Sequence, residues 1–219
     1  MTIEPLQEER ALTLQDGQES TGSAPGRSTE SDREDAKLLG RIGRERDRAA
    51  MRMIYDRYQG RLRGFLRRLT DDQPLIDETY NDVMLSIWEH ADGFRAEAKP
   101  SSWIFAIAYR QCVRVLKKEQ RKRSLLSRLW REPTELATST NEQFEETELV
   151  SAAMQQLNHR QRMVIELSYF EGYSTSEISE IVQCPQGTVK TRLHHARTRI
   201  RHVVSRLADP NRLAGRRPA

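Results

Sequence analysis

Residues Leu157–Arg197 read LNHRQRMVIELSYFEGYSTSEISEIVQCPQGTVKTRLHHAR, two short helical patterns and the head of a third with polar punctuation at each join. Asn158 stands three positions before Gln161, and Ser174 three before Glu177. Each pair is a capping box, in which two backbone N–H groups that a helix start leaves unpaired are satisfied reciprocally. Gly172 ends the first helix. Ile178, Ile181 and Val182 give the second an apolar face, and the turn CPQG, containing Gly187, leads to the third. Counted at 100° per residue, Val189, Leu193, Ala196, Ile200, Val203, Val204 and Leu207 fall within about 60° of one direction, a single buried stripe. Lys190, Thr191, His194, His195, Thr198 and Arg201 lie opposite, flanked by Arg192, Arg197 and Arg199. Nothing acidic occurs between Val189 and Leu207. A merely solvated helix mixes charge signs to gain i,i+4 pairs, so an all-cationic run points to an anionic partner. A short helix, a tight turn and a longer basic helix make a helix-turn-helix, which sends the start of its second helix into the DNA major groove.

Upstream the periodicity is again helical. In MIYDRYQGRLRGFLRRL, Ile54, Tyr55, Tyr58, Leu62, Phe65, Leu66 and Leu69 recur at threes and fours, and TDDQP stops the pattern because Pro74 suits only the first turn of the next helix. That next helix, PLIDETYNDVMLSIWEH, is apolar at Leu75, Ile76, Thr79, Tyr80, Val83, Met84, Ile87 and Trp88, with Asp77, Glu78, Asn81, Asp82 and Ser86 on its other face. After the loop ADGFRAEAKP, a third helix begins at Ser101–Ser102 and runs through SSWIFAIAYRQCVRVLKKEQRKR to a basic end at Lys117, Lys118, Arg121, Lys122 and Arg123. No strand-type alternation is present, so the fold class is all-α.

Charge divides the chain. Residues 1–35 carry net −6, residues 36–131 net +10, residues 132–150 net −6 and residues 151–219 net +6, which return the overall +4. Two basic blocks separated by an acidic stretch suggest two nucleic-acid-facing domains on a tether. The expected layout is a disordered acidic arm over 1–33, a first domain over 34–123, a flexible acidic linker over 124–147, a second domain over 148–208 and a basic tail over 209–219. Fully extended, the ~24 linker residues would reach about 80 Å. Leu125, Leu126, Leu129 and Trp130 are expected to dock locally or on a partner, since an exposed apolar patch needs cover. The acidic start MTIEPLQEER is unlike an export signal, and no apolar run approaches membrane-spanning length, so a cytoplasmic protein without membrane insertion is expected. Cys112 and Cys184 lack C-x-x-C spacing and indicate neither a zinc site nor a disulfide framework.

The Leu157–Arg197 stretch resembles region 4 of bacterial sigma factors of the extracytoplasmic-function (ECF) group, in the sigma-70 family. The resemblance rests on Gln161, Arg162, Val164, Leu167, Glu171, Gly172, Ser174, Glu177, Ile178, Pro185, Gly187, Thr188, Val189, Lys190, Arg192, Leu193, Ala196 and Arg197, with Ser179 and Thr191 as mild departures. IDETYNDVMLSIW and FRAEAKPSSWIFAIAYR resemble the family's region 2. Ala96, Lys99–Pro100 and Ala106 depart from its pattern. What the resemblance implies is an alternative sigma factor that binds core RNA polymerase, recognises −35 and −10 promoter elements and assists DNA melting. It further implies a stress or envelope-response regulon and an anti-sigma factor partner.

By the same resemblance, Thr188, Lys190, Thr191, His194, His195, Arg197 and Arg199 would contact the −35 element. Phe94, Arg95, Lys99, Ser101, Ser102, Trp103, Arg110, Arg114, Lys117 and Lys118 would contact or help melt the −10 element. Asp77, Glu78, Asn81, Asp82 and Trp88 would meet the clamp of the polymerase largest subunit, and region 4 the flap of the second-largest subunit. Asp77 and Glu78 also suit the helix dipole without any partner.

Two other readings compete. A free-standing helix-turn-helix regulator would leave the upstream helices unexplained. A metal enzyme using His194, His195 and Cys184 meets the difficulty that adjacent helical histidines diverge by 100°, and no H-E-x-x-H motif accompanies them. No cofactor, metal or catalytic residue is expected.

Overall fold

The protein is described here from a computed structural model that covers residues 29–95, 98–129 and 152–207, and all regular structure among these is helical. Helix α1 (Thr29–Glu45) starts inside the 1–33 segment expected to be irregular, where Glu30 and Asp32 suit the positive end of a helix. Its buried face, Leu38, Leu39 and Ile42, lies on α2 (Arg48–Arg67), which buries Ala50, Ile54, Tyr58, Leu62, Phe65 and Leu66. Removing each of these Leu, Ile and Phe side chains from water contributes about 1.5–3 kcal/mol. The α1–α2 turn places Arg46 at φ 51°, a left-handed conformation costly for a residue with a Cβ. Its guanidinium donates to the carbonyl oxygens of Trp88 and Glu89, tying the turn to the end of α3. Asp47 caps α2 by accepting the N–H groups of Ala49 at 2.8 Å and Ala50 at 3.1 Å.

Helix α3 (Gln73–His90) is capped by Asp72, carries Pro74 in its first turn as expected, and buries Ile76, Thr79, Tyr80, Val83, Met84 and Ile87. A 3₁₀ turn, Ala91–Gly93, follows and presses on α1 at Gly43, where a Cβ would stand 2.6 Å from the backbone nitrogen of Asp92. Helix α4 (Pro100–Leu129) runs past the expected end at Arg123. The expected docking of Leu125, Leu126, Leu129 and Trp130 and most of the linker fall outside the described residues.

After a helical turn over 152–155, α5 (His159–Ile165) opens with the Asn158/Gln161 capping box and passes into a π turn, Glu166–Phe170. Gly172 at φ 72° ends it. Helix α6 (Thr175–Val182) opens with the Ser174/Glu177 box, and α7 (Gln186–Leu207) completes the helix-turn-helix. The turn differs from expectation in one respect. Gln183, at φ 51°, takes the left-handed position, and Gly187 lies inside the first turn of α7. Ser179 Oγ donates to Cys184 O at 2.8 Å and braces that turn.

The buried side chains of both helical groups join in one hydrophobic cluster, where the rings of Phe105 in α4 and Tyr173 meet edge to face at 5.5 Å. Helix α6 packs along α4. The described helices of the two groups are therefore packed against each other.

Candidate nucleic-acid interface

Burial of Val189, Leu193 and Ala196 orients α7, so that Lys190, Thr191, His194, His195 and Arg197 are exposed on its far side. Thr188 is half-buried in the first turn, its N–H donating to Pro185 O at 2.8 Å. Thr191 Oγ1 donates to Gly187 O at 2.8 Å, so its hydroxyl can still accept a hydrogen bond. The imidazoles of His194 and His195 stand edge to face at 5.8 Å. Arg199 also serves as a strut, since its Nε donates to Gln156 O at 2.9 Å and pins α7 to the preceding turn. Arg192 leans inward, with Nη1 3.6 Å from Cys184 Sγ, and its charge acts on the Tyr109 hydroxyl of α4. Burial raises the Tyr109 pKa against the opposing charge of Arg192.

On the first helical group, Phe94 and Trp103 pack edge to face at 5.7 Å beside a cleft of about 420 Å³ between α3 and α4. Ser86, His90, Trp103, Ile107, Arg110 and Gln111 line it. Gln111 Nε2 donates to Ser86 Oγ at 2.8 Å, and His90 Nδ1 lies 3.0 Å from Ser86 O. The sequence alone singles out Trp103 and Arg110 but not Ser86, His90, Ile107 and Gln111 as site residues. Their i,i+4 spacing on two helices is a signal visible only once the helices are paired. Ser101 and Ser102 turn inward, only 2% and 4% exposed, and do not present themselves to an external ligand, in contrast to their expected role. They sit in the first turn of α4 on the side that packs. Arg95, Lys117 and Lys118 are exposed.

The outer face of α3 carries Glu78 and Asn81, both exposed, and Asp82, whose Oδ2 accepts from Arg114 Nη2 at 2.7 Å. Asp77 is engaged by Arg63 of α2 and by Gln73, which together hold its carboxyl below the usual carboxylate range. Trp88 is half-buried, its ring 6.0 Å below the Arg46 guanidinium. Leu85 is a residue that sequence reasoning misses. At 53% exposure it stands among these acids, three residues from Asp82 and seven from Glu78.

Charged groups also cross between the two helical groups. Arg61 of α2 meets Glu171 Oε2 at 2.8 Å, and Arg68 donates to Glu166 and approaches Glu171 Oε1 at 3.4 Å. Glu166 is fully buried, and its Oε1 has no hydrogen-bond partner among the described residues. Burial pushes its pKa up against the attraction of Arg68. Lys99 Nζ lies 2.5 Å from Glu177 Oε1, while Glu177 Oε2 accepts from Ser174 N at 2.9 Å and from its hydroxyl at 2.8 Å. Burial would raise the Glu177 pKa, but these donors outweigh it and hold it low.

The model of sigma-70 region 2 matches residues 54–122 and that of sigma-70 region 4 matches residues 147–200, together more than half of the 219-residue chain. The chain belongs to the sigma-70 family of RNA polymerase sigma factors, non-catalytic initiation factors, and is therefore not an enzyme. Within that family it is an ECF sigma factor. It is 28% identical to the ECF RNA polymerase sigma factor SigL of Mycobacterium tuberculosis over 162 residues, covering 73% of this chain and 91% of that protein. It is 29% identical to the ECF RNA polymerase sigma factor SigK of Mycobacterium ulcerans over 186 residues, covering 82% and 96%.

Its fold is similar to that of CnrH, solved with the cytosolic domain of CnrY, at TM-score 0.59 and 17% identity, covering 78% of this chain and 97% of that one. It is likewise similar to RpoE of Bartonella quintana, solved with the anti-sigma factor NepR, at TM-score 0.57 and 20% identity, covering 70% and 96%. Among the described residues no cluster of three or more His, Cys, Asp or Glu is placed to hold a metal, and no helix is long and apolar enough to cross a membrane.

Proposed function

We propose that this chain directs core RNA polymerase to promoters as an alternative sigma factor of a stress or envelope-response regulon. The observation that carries the reading is the α7 face, where Lys190, Thr191, His194, His195 and Arg197 are exposed together with no acidic neighbour on the helix. This face is assigned to the −35 element, with Thr188 at its edge and Arg199 as a backbone strut. Phosphate contacts by Arg197 would add salt-dependent affinity, whereas base-edge contacts by the histidines would add discrimination.

The −10 element is assigned to Phe94, Arg95, Lys99, Trp103, Arg110, Arg114, Lys117 and Lys118, with the α3–α4 cleft receiving an unstacked base. Stacking on an aromatic side chain is worth about 1–3 kcal/mol per base, comparable with the few kcal/mol that unpairing costs. Glu78, Asn81, Asp82 and the exposed Leu85 form an acidic surface with an apolar centre, suited to a basic polymerase clamp. The flap of the second-largest subunit would hold region 4. The expected domain limits, 34–123 and 148–208, follow this division, with the acidic linker between them spanning the distance between promoter elements. CnrH is solved with the cytosolic domain of CnrY, and RpoE with the anti-sigma factor NepR. By analogy an anti-sigma factor is proposed here too, with action in the cytoplasm.

The test is run-off transcription with purified core polymerase across a genomic promoter library. Initiation at promoters that core alone ignores supports the reading, and failure at every promoter overturns it.

A further inference from the structure

Region 4 presents three carboxylates, Glu166, Glu171 and Glu177, to three cations of region 2, Arg68, Arg61 and Lys99. The partners lie between 78 and 110 residues apart in the chain. The cluster is backed by rings: Arg61 lies 4.9 Å from the Phe105 centroid, and Arg68 lies 4.5 Å from that of Phe170. Arg162 reaches across to Leu69 O at 3.3 Å. This is a built interface with polar and aromatic complementarity rather than an incidental touch.

From this arrangement we infer that the two domains latch onto each other without a third protein, and that region 4 competes with nucleic acid for the cationic surface of region 2. The key juxtaposition is at Lys99. The proposed function gives its ammonium to the −10 strand, and here Glu177 holds it, an anionic carboxylate standing where a phosphate would. The role of Lys99 therefore rests on the sigma-factor reading, whereas the latch itself does not.

The latch is suited to release. Glu166 is buried with one oxygen unsatisfied among the described residues, and a partly satisfied buried carboxylate offsets much of what its ion pair gains. Arg61 and Arg68 remain about one-third exposed, so water and salt reach the cationic side. Closing also leaves the α7 face open, with Lys190, His194 and His195 exposed. The −35 reader stays accessible while a −10 contact is masked.

The test uses the full chain without polymerase. Small-angle X-ray scattering at low salt should show one compact particle for the wild type. Glu171→Arg, which opposes Arg61 and Arg68, should add an extended population, and Arg61→Glu combined with Glu171→Arg should return the compact form. Anisotropy with a fluorescein-labelled oligothymidine strand gives the second readout. If about nine in ten chains are closed, opening should tighten apparent binding about tenfold.

An extended wild type at low salt, or a Glu171→Arg variant as compact and as weak in binding as the wild type, would overturn the latch. If circular dichroism shows the variants unfolded, the wild-type dimensions decide alone. These outcomes are separate from run-off transcription: a chain that closes and opens as described but never initiates keeps the latch and removes the promoter role of Lys99.

Discussion

Arg114 Nη2 lies 2.7 Å from Asp82 Oδ2, so α4 and α3 are joined through one residue of the proposed −10 surface and one of the proposed polymerase surface. The two side chains are 66% and 35% exposed, and exposed pairs contribute only about 0.2–1 kcal/mol. Asp82→Asn should therefore lower the Tm by no more than about 4 °C, while weakening capture of core polymerase. A large fall in Tm with polymerase capture intact would make Asp82 a structural residue instead.

Replacing His194 and His195 by alanine should change promoter choice more than polymerase affinity. Each base-edge contact is worth about 1–3 kcal/mol of discrimination. Selection of initiating sequences from a library randomised at the −35 position reads this directly. An unchanged selected sequence would place base reading elsewhere on α7.

Gly43 and Gly40 lie one turn apart on α1 and should respond oppositely to alanine. A Cβ at Gly43 meets the backbone of Ala91 at 2.8 Å and of Asp92 at 2.6 Å, whereas nothing stands within 4 Å of one at Gly40. Gly43→Ala should cost about 1–3 kcal/mol by overpacking. Gly40→Ala should gain roughly 0.5–1 kcal/mol from helix propensity. Thermal unfolding of both variants checks the pair.

Burial pushes the Cys112 thiol up to about 12, so almost none is thiolate at neutral pH. Cys184 is only partly buried. Native protein treated with a maleimide should gain one label, at Cys184, and a second only after denaturation. Mass spectrometry of the labelled chain distinguishes the two sites.

Asp77 titrates below its ordinary value of 3.8 because of hydrogen bonds from Arg63 and Gln73. A lowered folded-state pKa gives stability that is present above the unfolded value and is lost as pH falls through the folded one. Asp77→Asn should be less stable than the wild type at neutral pH and should lose less stability on acidification below about pH 4. Acid-unfolding curves that superimpose would remove Asp77 from the α2–α3 contact.

Local features are legible in the sequence because their causes are local. Asn158 with Gln161 and Ser174 with Glu177 form the expected boxes, since a cap and its partner lie within one turn. The α7 stripe is buried at Val189, Leu193 and Ala196 and only half-buried at Ile200, Val203 and Val204, where the helix runs on past the core. The π turn, Leu85 and the α3–α4 cleft are not legible. The first changes the helical period, and the others depend on which helix faces which. Least legible of all is the pairing of Arg61 and Arg68 with Glu171 and Glu166, because charge counting sees a basic block and scattered acids but not that they meet. The burial of Ser101 and Ser102 is hidden from sequence for a related reason: two hydroxyls at a helix start look outward until the packing side is known.

The π turn at Glu166–Phe170 holds one residue more than an ordinary turn would, with Glu171 N donating back to Glu166 O at 3.1 Å. Deleting a single residue there, such as Ser168, would restore the common period and swing the downstream chain by about 100°. Glu171 would then face away from Arg61. Whether such a chain can fold upon itself is thus set by one codon of length, so among diverging lineages a gap at this point would tell more than any change of charge.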